Sequence, residues 1–131
     1  MESNLRRLIE MMQPQLHPDP YVFVTQDSSA EVSYGDVLCS FKEEEGITLI
    51  LQKPIADQYS FDYNYEAAWI TLSVQSDLDA VGFTAYFSRL LGDAGISCNV
   101  VAAYYHDHIF VPWELGEKAT EILKNSSSLL S

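Results

Sequence analysis

Residues 68–95 read AWITLSVQSDLDAVGFTAYFSRLLGDAG, and the period of their apolar residues changes midway. Over Ala68–Val74, Trp69, Thr71 and Ser73 alternate with Ile70, Leu72 and Val74, the period-two pattern of a strand with one buried face. From Ala80 onward, Ala80, Phe83, Phe87, Leu90, Leu91 and Ala94 fall on one helical stripe. Between the two, Ser76-Asp77-Leu78-Asp79 matches a capping box, with Asp79 as a shorter stand-in for Glu. Gly95 stands where a left-handed residue ends a helix. The stretch is therefore a strand followed by a helix that packs on it.

Working toward the C-terminus, Ile96–Tyr105 and Ile109–Pro112 form two strands around Tyr105–His108. Trp113–Lys124 is a helix with Leu115, Ala119, Ile122 and Leu123 on one side, and Asn125–Ser131 is a fraying tail. The order β–α–β–β–α in about 60 residues is the split βαβ pattern of ferredoxin-like domains without its last strand. That strand has to come from the other half of the chain or from a second chain.

Working toward the N-terminus, Ser60–Glu66 is an aromatic and acidic connector, which sets a boundary between lobes 1–66 and 67–131. Leu5, Leu8, Ile9 and Met12 give a short amphipathic helix over Asn4–Met12. Pro14, Pro18 and Pro20 stop it and stiffen a linker from Gln13 to Pro20. Tyr21–Gln26 is a strand by composition, and Val37–Lys42 with Ile47–Gln52 is a hairpin around Glu43–Gly46. Pro54–Tyr59 has room for one helical turn.

The 131 residues carry 7 Lys+Arg against 19 Asp+Glu, a net charge of −12. Such a chain is repelled by phosphate backbones and anionic lipids, so the sequence predicts neither a nucleic-acid nor a membrane partner. No apolar run reaches the roughly 18 residues of a membrane span, and charged residues interrupt the N-terminus where a signal peptide would be apolar. The expected location is the cytoplasm. Cys39 and Cys98 form no CxxC pair and lie in apolar segments, so both are read as reduced and buried.

The segments Tyr21–Phe23, Glu44–Leu49, Ala68–Leu72, Ala80–Ala85, Gly95–Val100 and His106–Pro112 resemble a family of small bacterial proteins with tandem ACT domains and no assigned function. That family is similar to the regulatory region of aspartokinases. The resemblance runs nearly the whole length of the chain in order. It implies an α+β fold of two tandem ferredoxin-like lobes, each an antiparallel sheet with helices on one face. It also implies a regulatory or sensor module without catalysis or cofactor, binding an amino acid or related metabolite at a lobe or subunit junction.

By that resemblance the ligand site falls on Ser76, Asp77, Leu78, Val81, Gly82 and Phe83, with Ile96 to Asn99 opposite. The amides at a helix N-terminus suit a carboxylate, and Gly82 allows close approach. Asn99, inside an apolar strand, needs a partner for its amide, either a ligand carboxylate or a backbone group. His106 and His108 project to one face, as in some zinc sites. With His17 beside Pro18 as the only other histidine, the ligand set is short, and no metal or catalytic residue is assigned. An enzyme using His106 and His108, or an interaction module with no ligand, are the competing functions. A homodimer is expected, because the missing strand leaves an open edge.

Overall fold

The computed structural model describes residues 3–27, 32–74 and 81–129. In chain order it has α1 (Ser3–Met11), β1 (Pro14–Gln26), β2 (Cys39–Lys42), β3 (Ile47–Gln52), α2 (Lys53–Gln58), β4 (Glu66–Leu72), α3 (Phe83–Asp93), β5 (Asn99–Ala102), β6 (Asp107–Pro112) and α4 (Gly116–Lys124). These elements divide into two compact units, one of residues 1–17 with 68–131 and one of residues 18–67.

In the first unit the strand order is β1-β4-β6-β5, with β1 represented by its first residues, Pro14–His17. The strand that the β–α–β–β–α pattern lacks is thus supplied by the start of the same chain. Residues 13–20, expected to be a linker, are corrected to strand from Pro14 onward. The prolines allow it by their parity. The Ser73 N–H donates to the Gln13 carbonyl at 2.8 Å, so odd-numbered residues of β1 bond toward β4. Pro14, Pro18 and Pro20 are even-numbered, and their missing N–H groups face the other side. There the register with β3 begins only at Tyr21, opposite Gln52.

The core of this unit joins Ile9 and Met12 to Ala68, Ile70 and Leu72 of β4, Phe83, Phe87 and Leu91 of α3, Ile109 and Val111 of β6, and Ala119 and Leu123 of α4. The even residues of β4 and the odd residues of β6 therefore face the helices, and their alternates face the opposite side of the sheet. α3 starts later than expected, because its cap is Gly82 at φ +95°. Such a residue cannot continue a helix from an earlier turn. The capping box Ser76–Asp79 lies outside the described residues.

In the second unit the order is β2-β3-β1. Val22 pairs with Leu51 and Val24 with Leu49, and these four side chains with Ala56 form a separate core. The expected hairpin is present. It closes with the Glu43 N–H donating to the Gly46 carbonyl at 3.0 Å. Gly46 is required by proximity, since a Cβ there would lie 2.7 Å from the Gln26 carbonyl oxygen. Between its first two strands the described residues of this unit include a 3-10 turn at Tyr34–Asp36, where the first unit has the 11-residue α3.

Candidate functional site

Of the residues assigned to the ligand site, Ser76, Asp77 and Leu78 lie outside the described residues. Val81 is 79% exposed. Gly82 caps α3, and its carbonyl accepts from the Tyr86 N–H at 2.9 Å. A Cβ on Gly82 would lie 3.1 Å from Leu5 Cδ2. Phe83 is buried and meets Phe87 edge to face with centroids 5.2 Å apart, so its side chain belongs to the core. What Phe83 has to offer a ligand is its backbone.

Asn99 is exposed, directly opposite Phe110 in the β5–β6 pair. Its neighbours Cys98 and Val100 pack on the core, so Asn99 points to the face of the sheet that carries no helix. Water satisfies an amide in that position, and the need for a specific partner disappears. The structure does not bring the Asn99 side chain to the same face as Phe83.

The helix-free face gathers a different set of side chains. His17 stacks on Trp69 with centroids 3.5 Å apart and planes 13° from parallel. His17 Nε2 lies 2.8 Å from the Thr71 hydroxyl, which lies 3.1 Å from His108 Nδ1. The Trp69 indole N–H donates to the same His108 Nδ1 at 3.0 Å. Since an indole nitrogen is a donor only, His108 Nδ1 is an unprotonated acceptor, and the neutral ring carries its proton on Nε2. Burial, followed by the fields of His106 and His17, pushes the His108 pKa below its ordinary value, and burial does the same for His17. His106 Nδ1 is buried and takes no hydrogen bond among the described residues.

All three histidines of the chain are thus in the first unit. Among the described residues no three His, Cys, Asp or Glu side chains are grouped to hold a metal ion. Nor does the array present a nucleophile. Thr71, between two imidazoles, is 6% exposed and out of a substrate's reach. Both cysteines are free and half-buried rather than fully buried, and burial pushes the Cys98 thiol up to about 11, so it stays protonated at neutral pH. The sequence hid the array because His17 sits among prolines that read as a linker. The period-two pattern of Trp69 and Thr71 was the available clue.

Residues 1–68 match one family model described as ACT domain, and residues 64–125 match a second with the same description. A protein of unknown function from Vibrio cholerae, described as a possible transport protein, is 37% identical, with 95% of this chain and 96% of that chain covered and a TM-score of 0.81. The ligand-free regulatory subunit of aspartate kinase from Thermus thermophilus has the same fold at 9% identity, TM-score 0.64, covering 88% of this chain and 96% of that one. Escherichia coli aspartokinase III in complex with aspartate and ADP matches at 15% identity and TM-score 0.60, over 86% of this chain and 32% of the enzyme. No curated protein matches the sequence.

Proposed function

This chain belongs to the ACT domain family, with two such domains in tandem, and on that premise we propose that it is a regulatory module that binds an amino acid or a related small metabolite and performs no catalysis. The observation that carries the reading is the family match itself, which takes up residues 1–125 with ACT domains alone. The buried Thr71 and the protonated Cys98 support the absence of catalysis, because neither can be the activated nucleophile of a hydrolase.

The binding position we propose is the turn that leads into α3. There the first amides of an 11-residue helix follow a left-handed Gly82 and an exposed Val81, with Ser76, Asp77 and Leu78 completing the site. Amides of this kind favour a carboxylate. The exposure of Asn99 on the helix-free face argues against its taking part.

The test is an amide NMR titration with single amino acids, followed by the variant Val81→Trp. Gly82→Leu is the poorer choice, since φ +95° and the nearby Leu5 would strain the backbone whether or not a ligand binds. Shifts centred on Val81–Tyr86, lost in Val81→Trp while its melting temperature stays unchanged, are expected. Shifts confined to the face of His17, Trp69 and His108 would move the site there.

A further inference from the structure

Val32 and Val37 pack against the core of the second unit. Together with Leu38, Ile47 and Leu49 they wall a cleft of about 350 Å³, with Gln26 at the end of β1. Gln26 shares a strand face with Val22 and Val24, and it stands opposite Ile47 in the β1–β3 register. Its carboxamide therefore projects on the same side as the apolar core. Gln26 Oε1 is sheltered from solvent and accepts no hydrogen bond among the described residues. An acceptor so placed is a rare and costly feature unless something outside the protein completes it.

We propose that this cleft binds a small uncharged molecule with an apolar body and one N–H or O–H donor, the donor meeting Gln26 Oε1. The volume is in the range of small-molecule sites, and the pattern of apolar walls with one oriented polar group is what such sites share. A water at the oxygen would find few further partners among five aliphatic walls, whereas a ligand with an apolar body fits both features. Among the described residues that line the cleft none is ionised, the remaining polar side chains being Tyr34, Cys39 and Ser40. A free amino acid would leave its ammonium and carboxylate without charged partners here. The ligand class thus differs from the one proposed at α3, and the site is in the other unit, so neither proposal depends on the other.

Indole and 1-methylindole are the probes, since they share an apolar bicycle and differ in the single N–H donor. Titrated into the wild-type protein and followed by amide NMR, indole is expected to shift Gln26, Val37, Leu38, Ile47 and Leu49. 1-Methylindole is expected to bind about tenfold more weakly, as one neutral hydrogen bond implies. In Gln26→Leu the two probes should bind equally. No shifts at these residues, or equal affinity of the two probes for the wild type, would overturn the proposal. The wild-type comparison decides it even if Gln26→Leu fails to fold.

Discussion

Trp69 can only donate through its indole nitrogen, so its bond to His108 Nδ1 lasts only while that nitrogen carries no proton. His108 and His17 both have pKa values below the ordinary 6.5, with burial as the first cause. Between 6.5 and those lower values the unfolded chain binds more protons than the folded one, so stability is full above this window and falls as pH drops through it. His108→Asn keeps an acceptor oxygen for Trp69 but does not titrate. Thermal melts from about pH 7 down to about pH 5 should therefore fall less steeply in His108→Asn than in the wild type, and parallel curves would contradict the assignment.

Two glycines separate conformational freedom from packing. Gly92 lies within α3 with nothing within 4 Å of an added Cβ, so Gly92→Ala should stabilise by roughly 0.5–1 kcal/mol in urea denaturation. At Gly116 the same methyl would lie 2.8 Å from Ala68 Cβ, and Gly116→Ala should cost about 1–3 kcal/mol.

At the scale of elements, α1 and the first residues of β1 have the largest consequence for the first unit. Ile9 and Met12 are in its core, and Pro14–His17 complete its sheet. Ile9→Ala should cost about 2–5 kcal/mol by opening a cavity among Phe83, Phe87 and their neighbours. Deletion of residues 1–17 should abolish cooperative unfolding of the 68–131 segment, which calorimetry would show as a lost transition. The helical stripe of Leu5, Leu8 and Ile9, the alternation in β4 and the β2–β3 hairpin were legible in the sequence because each is a local pattern. The role of Pro14–Pro20 was not, since proline reads as a breaker until the side of the strand its missing N–H faces is known. Gly82 misled for a related reason. As a helical residue it costs only about 1 kcal/mol relative to alanine, and only its φ reveals it as the cap. The exposure of Asn99 was not legible, because strand parity does not say which face of the sheet bears helices.

For the whole molecule, the expected homodimer no longer rests on a missing strand, which β1 supplies. What supports it is β5, the last strand in the order of the first unit, whose outer edge pairs with no further strand among the described residues. With a net charge of −12 on each copy, self-repulsion opposes pairing. Sedimentation should therefore show the dimer fraction rising with salt, and a monomer at every concentration and salt level would remove the dimer. Among the described residues no helix is long and apolar enough to cross a membrane. A tandem ACT protein that senses an amino acid or a close relative must be stabilised by it, which scanning calorimetry of the wild-type chain with each of the twenty amino acids would reveal. At least one should raise the melting temperature by several degrees, since a ligand at 100 times its Kd stabilises by about 2.7 kcal/mol. A folded protein whose transition stays fixed with all twenty at millimolar concentration would contradict it.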